Sequence, residues 1–247
     1  MATSSAASGR VYPNAPIVEA VIDIQVSQEV AKPLDLSKCV DSVSSRFPQR
    51  DPIHLIEMEM ASNGFGQTKT EIGQRLVNET GDRILQLQQR GFTYSHMPPY
   101  SHWDSFRTEA LPLWRTFVEN CQPHRVTRVA VRYINRLKLP SGKIDLEDYL
   151  SIYPHLPKAM PIFSGLLMQI QMRHEDVHPR CRSVITIASE QATDPSYQPL
   201  VLDLDVLVDA DIATDSSEVW ELLDKLRVKK NDLFEASLTD KMKETFI

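Results

Sequence analysis

Among 247 residues there are only three cysteines, Cys39, Cys121 and Cys181, and no two of them stand in a CxxC spacing. Zinc-ribbon and redox-dithiol motifs are thereby excluded, and a sparse, odd count fits reduced thiols in a cytoplasmic protein. No apolar run approaches the roughly 18 residues of a membrane-spanning helix. The opening MATSSAASGR lacks the apolar core of a secretory signal. Eight glycines occur, none of them in a phosphate-cradling loop, a GxSxG elbow or a Walker-type motif. Positive charge is short as well. Lys and Arg total 27 against 33 Asp and Glu, a net charge of −6, and this disfavours binding to nucleic acid through phosphate neutralisation.

What remains is an ordinary globular composition, 42% hydrophobic and 24% charged. The length suits one integrated domain or two fused halves. Residues 1–12 read as a small, polar, flexible tail. From Ile17, Val18, Ala20, Ile22, Ile24 and Val26 alternate with Glu19, Asp23 and Gln25, the period of a strand. A helix follows on Leu36, Val40, Val43 and Phe47. Then come three strands, in IHLIEMEM, TEIGQRLVNE and RILQLQQRGFTYS, the last two joined by a turn at Thr80-Gly81-Asp82. Trp103, Phe106, Ala110, Leu113, Trp114 and Phe117 mark a long helix.

The order then restarts. RVTRVAVRYINRLKLP is a strand and KIDLEDYLSIY a helix. GLLMQIQM, SVITIASE and LVLDLDVLV are strands, and a last helix starts near Asp215-Ser216. PLDLSKCV and KIDLEDYL, each at the start of the helix after a first strand, resemble one another. The expected fold class is α+β. Two tandem pseudo-duplicated β-α-β-β-β-α halves, 13–122 and 123–247, form one integrated domain, with antiparallel sheets covered by helices on one face in a saddle-like arrangement.

Residues 174–178, HEDVH, spell the zinc-peptidase motif H-E-x-x-H. That motif needs a helix, which alone sets residues i and i+4 on one face for a shared metal. Here the preceding LLMQIQMR alternates as a strand and Pro179 follows. An extended chain would separate the two imidazoles by about 13 Å, so the string reads as a polar hairpin turn. No catalytic residue, metal site or cofactor is expected from it.

VRYINRL carries more weight. Arg128, Arg132 and Arg136 line one face of a strand at steps of about 13 Å. Val129, Val131, Tyr133 and Leu137 line the other, with Asn135 among them. The arginines are either an ion-pair ladder with Glu19 and Asp23 or an anion-binding face. In GFTYSHMPPYSHW, His96, Tyr100, His102 and Trp103 form either an aromatic plug at a helix start or a stacking platform. Asp203 with Asp205, and Glu57 with Glu59, are solvated strand faces more readily than metal pairs. Lys225, Arg227, Lys229 and Lys230 suit the negative end of the last helix. The binding candidates are therefore Arg128, Arg132, Tyr133, Asn135, Arg136, Tyr100 and Trp103.

NAPIVEAVIDIQV, FTYSHMPPYSHWDSF, RVAVRYINRL and KNDLFEASLTDKMKETF together resemble a sporadically distributed bacterial family of uncharacterised proteins of about this length. Pro16, Glu19, Tyr100, Trp103, Phe106, Arg132, Tyr133, Ile134, Asn135, Phe234, Thr239 and Asp240 occupy its pattern. The resemblance implies no reaction, substrate or cofactor, and its patchy occurrence implies an accessory gene on mobile or defence-related islands. The expectation is a non-enzymatic binding protein whose partner is another protein or a second copy of itself. A nucleic-acid-associated protein and a metal-dependent hydrolase are the alternatives.

Overall fold

The computed structural model describes residues 10–27, 33–61, 64–142, 144–157, 159 and 165–247. Residues 1–9 of the expected tail and Asn63 of the NGFG loop lie outside the described residues, as does the side chain of Glu59. The protein is mixed α+β. Its strands are β1 (Ile17–Ser27), β2 (Gln49–Ala61), β3 (Gly64–Val77), β4 (Arg83–Gln88), β5 (Gly91–His96), β6 (Arg125–Pro140), β7 (Leu167–Arg173), β8 (Cys181–Ser189) and β9 (Tyr197–Ala213). Its helices are α1 (Ser37–Val43), α2 (Trp103–Cys121), α3 (Glu218–Ser237) and α4 (Asp240–Glu244). The strands are hydrogen-bonded in the order β2-β3-β4-β5-β1-β6-β9-β8-β7. The pairings β2–β3, β3–β4, β4–β5, β7–β8 and β8–β9 are all antiparallel. Two compact units divide the chain. A ribbon unit comprises Val21–Val129 and Asp209–Val219, and a terminal unit comprises Met1–Ala20, Ala130–Val208 and Trp220–Ile247.

In the ribbon unit α2 buries the stripe expected of it, Trp103, Phe106, Ala110, Leu113, Trp114 and Phe117. Phe92 of β5 meets Trp114 edge-on at 5.7 Å, and Tyr94 stacks on Phe106 at 5.5 Å. Such pairs contribute about 0.5–1.5 kcal/mol each beyond the area they bury. His102 caps the helix, its Nδ1 accepting from the Ser105 amide at 3.1 Å. In the terminal unit Leu137, Leu139, Ile185, Ile187, Leu202 and Leu204 of β6, β8 and β9 pack with Leu238, Met242 and Phe246 around α4. Tyr12 docks on that cluster. Its hydroxyl donates to Glu235 at 2.8 Å, and its ring meets Phe246 edge-on at 5.6 Å.

Two expected elements come out differently. RILQLQQRGFTYS is not one strand but the β4–β5 hairpin, turned at Gln89-Arg90. Gly91 sits at φ 151°, and a Cβ there would lie 2.2 Å from the Ile24 carbonyl oxygen, so only glycine lets β5 approach β1. An apolar alternation running through the turn hid it. KIDLEDYLSIY is not a helix beyond a 3-10 turn at Leu146–Asp148. Pro154 disfavours helical backbone at Tyr153. The Ser151 amide bonds to Ser237 and the Tyr149 carbonyl accepts from Thr239, which ties this segment to the end of α3.

Candidate functional site

On β6 each arginine of the polar face has a carboxylate. Arg128 donates to Asp23 at 2.5 Å, and Asp23 also accepts from Thr93 at 2.9 Å. Arg132 grips Asp203 with Nε at 2.9 Å and a terminal nitrogen at 2.6 Å. Arg136 does the same to Glu190 at 2.7 and 2.9 Å. At the strand's start Arg125 is paired with Asp211. Bidentate geometry of this kind holds a guanidinium in one plane and occupies the donors an anion would need. The hydrogen bond to Asp203 raises the already high pKa of Arg132. The partners come from β1, β9 and the segment after β8, so the ladder recruits Glu190 and Asp203 as well as the expected Asp23.

The other face of β6 is core. Tyr133 and Asn135 are each 1% exposed. The Asn135 amide donates to the Leu202 carbonyl at 3.1 Å and to the Tyr133 carbonyl at 3.3 Å, which satisfies a polar group that burial would otherwise penalise. Lys230 lies over the Tyr133 ring, its nitrogen 3.6 Å from the centroid. Burial, with Arg227 nearby, pushes its pKa down to about 7, while the ring face favours the protonated form. The expected dipole role for the α3 cations does not hold, because α3 continues to Ser237 and has no basic residue in its last turn. Lys229 instead bonds Asp176 at 2.5 Å.

HEDVH is the turn between β7 and β8. The amides of Val177 and His178 bond to the His174 carbonyl, and the His174 amide bonds to Cys181. The imidazoles serve different partners. His174 Nε2 meets the Ser183 hydroxyl at 2.7 Å, and His178 Nδ1 accepts from the Arg180 amide at 3.0 Å. Burial lowers the His174 pKa. A His–Ser contact of this length could generate a nucleophile, but Ser183 is fully buried and out of reach of substrate. Among the described residues no three His, Cys, Asp or Glu side chains group as a metal site.

The aromatic run before α2 takes the core role. His96 is buried between Tyr100 at 5.3 Å and Phe106 at 5.8 Å, and Trp103 packs on Phe106. Beside it lies a cluster that sequence reasoning missed. Glu109 accepts from Arg83 at 2.7 Å and from the Tyr94 hydroxyl at 2.8 Å, and Arg83 also bonds Asp82 at 2.7 Å. The Arg83 bond lowers the Glu109 pKa. The residues that meet at Glu109 lie 15 and 26 positions away, too far apart for any local spacing to announce them.

A run of exposed apolar side chains lies elsewhere. β2 pairs with β3 from Gln49↔Val77 to Ala61↔Gly64, with a bulge between Ile53 and His54. β4 pairs with β3 only over Gly73–Val77. Past the bulge, β2 and β3 continue as a two-stranded ribbon, and β2 is the last strand of the order. Leu55, Ile56 and Met58 of this ribbon are 40%, 50% and 74% exposed. Leu55 and Ile56 are neighbours and so point to opposite faces, leaving apolar surface on both.

No family model matches the chain, and no curated protein matches it either.

Proposed function

We propose that the protein is a non-enzymatic interaction protein whose partner, in the first instance a second copy of the same chain, docks on the outer edge of β2. The observation that carries this reading is the ribbon itself. An isolated two-stranded hairpin is marginal in water. An edge strand with unpaired backbone groups and apolar side chains is a template for another strand. Natural edges are blunted with charge and proline. Here Arg50, Asp51 and Pro52 protect the start of β2, while beyond them Leu55, Ile56 and Met58 are exposed, with Glu57 between the last two.

A second copy fits the edge, because an antiparallel copy related by a two-fold axis presents the same apolar strand to it. Both edges are then satisfied by one self-complementary contact. The ion-paired state of Arg128, Arg132 and Arg136 argues against the nucleic-acid reading, and the separate duties of His174 and His178 argue against a hydrolase. A cytoplasmic location and a duplicated origin belong to the same proposal. The duplication is supported by β5 lying beside β1 and β9 beside β6, so each half's last strand adjoins its first.

Sedimentation equilibrium tests the reading. A concentration-dependent dimer that Ile56→Asp converts to monomer supports it. A wild-type protein that stays monomeric at all concentrations, with no protein partner retained by the wild type and lost by Ile56→Asp, removes it.

A further inference from the structure

His96 is the last residue of β5 and is 1% exposed. Its ring packs against Tyr100 at 5.3 Å and Phe106 at 5.8 Å. Among the described residues neither ring nitrogen has a hydrogen-bond partner. A neutral imidazole carries one donor and one acceptor, and a buried polar side chain with neither satisfied is rare. We propose that His96 is a proton-operated latch: the neutral ring holds residues 97–102, which join β5 to α2, against the sheet, and protonation of the ring in acid releases them.

The groups around the ring welcome its neutral form and not its charged one. Arg83 stands directly opposite His96 in the β4–β5 ladder, so a guanidinium shares its face of the sheet. Glu109, one turn of α2 beyond Phe106, already accepts from Arg83 at 2.7 Å and from the Tyr94 hydroxyl at 2.8 Å, with Arg46 at 4.0 Å. Asp82 accepts from Arg83 at 2.7 Å and from Asn78 at 2.8 Å, and the Thr80 hydroxyl also donates to it. β1, the other neighbour of β5, holds Asp23 against Thr93. Thr93 is an odd position of β5 and so faces away from His96. The His102 ring uses Nδ1 to accept from the Ser105 amide. An imidazolium donates from both nitrogens, and each carboxylate near this one is committed to other donors. The Pro99 carbonyl favours the protonated ring without completing a hydrogen bond.

Burial lowers the pKa of the ring, Arg83 lowers it further, and Glu109 and Asp82 oppose them. The unfolded ring takes its proton near about pH 6.5 and the folded ring only at lower pH. The packed arrangement therefore keeps its full advantage above about pH 6.5 and loses it as the pH falls through the folded value. Residues 97–102 are the part that gives way. β5 is held to β4 by a ladder from Arg83↔His96 to Gln88↔Gly91. Residues 97–102 are neither helix nor strand, and they meet the core through Tyr100, whose ring packs on both His96 and Phe106. His174 is the internal control. Burial lowers its pKa too, but its Nε2 meets the Ser183 hydroxyl and it belongs to the terminal unit.

The test is an NMR titration of the full-length protein from neutral pH into acid, following the histidine ring nitrogens and the backbone amides together. His96 should still be neutral at about pH 6.5, where a free imidazole is half protonated. As it takes its proton, the amides of Met97, Tyr100, Ser101 and His102 should shift with the same midpoint, while those of β8 follow His174 or stay still. His96→Phe keeps a buried ring without a titrating group and should abolish the acid shift of residues 97–102. The proposal is overturned if His96 is half protonated at or above about pH 6.5. It is equally overturned if the ring protonates while those four amides stay unmoved, or if it remains neutral in a folded chain down to about pH 4, the carboxylate range. Unfolding of the whole chain before His96 titrates, or the same acid shift in His96→Phe, also overturns it. The wild-type titration decides alone should the variant fail to fold.

Discussion

β6 and β2 are both long strands, 16 and 13 residues, and they treat their side chains in opposite ways. From Val129 to Leu139 the odd-numbered positions of β6 are buried, and Arg125, Arg128, Arg132 and Arg136 are paired with carboxylates. β2 past its bulge presents Leu55, Ile56 and Met58 to solvent. A dense row of charge on a strand draws attention as a binding surface, yet charge in a protein finds counter-charge cheaply. Contiguous apolar surface on an edge strand has no such internal remedy, and it is the feature on which the proposed docking rests.

The contrast can be broken at its strongest point first. Tyr133→Ala removes a fully buried ring from β6 and should cost about 3–5 kcal/mol in urea unfolding. Tolerance of that change would mean β6 is not core. Next in size is a pH effect at the same place. The folded pKa of Lys230 is pushed down to about 7, against an unfolded value of about 10.4. Between those values the unfolded chain binds more protons, so this lysine's contribution makes stability rise with pH across the window, with no slope below it or above it. The difference between wild type and Lys230→Met should show that slope. A parallel pair of curves would mean the Tyr133 ring holds the ammonium fully charged.

Smaller still is Arg132→Ala. It leaves Asp203, 14% exposed, without its guanidinium and should cost about 1 kcal/mol, the upper end for a partly exposed pair with good geometry. It should not alter self-association. At the bottom of the scale, Met58→Asp on β2 should shift stability by no more than about 0.5 kcal/mol and yet abolish dimer formation. Leu167→Asp on β7, at the opposite end of the strand order and 78% exposed, should leave the dimer intact. Loss of the dimer in the β7 variant alone would move the interface to the wrong edge.

Alternation exposed β1, β6, β8 and β9, and helical spacing exposed α2 and α3, because each has one face in a core. HEDVH was legible as a turn for the same reason: the backbone before it is visibly extended. The β4–β5 hairpin was hidden, since Leu85, Leu87, Phe92 and Tyr94 keep an apolar rhythm across the turn and only Gly91 marks it. The Glu109 cluster was hidden because its members meet only in three dimensions. Arg132 and Arg136 could be foreseen in an ion-pair ladder, but Asp203 and Glu190 could not be singled out as their carboxylates. The exposure of the ribbon was invisible for a different reason. IHLIEMEM reads like any half-buried strand, and nothing in it records that β4 stops at Gln88 and leaves the far part of β3 without a second neighbour.

Amide hydrogen exchange across residues 53–58, followed at several protein concentrations, tests the central claim most directly. With β2 as the seam between two copies, the outward amides of this stretch gain protection as concentration rises, while those of β7 do not change. Rapid exchange at residues 53–58 that is the same at every concentration would contradict it.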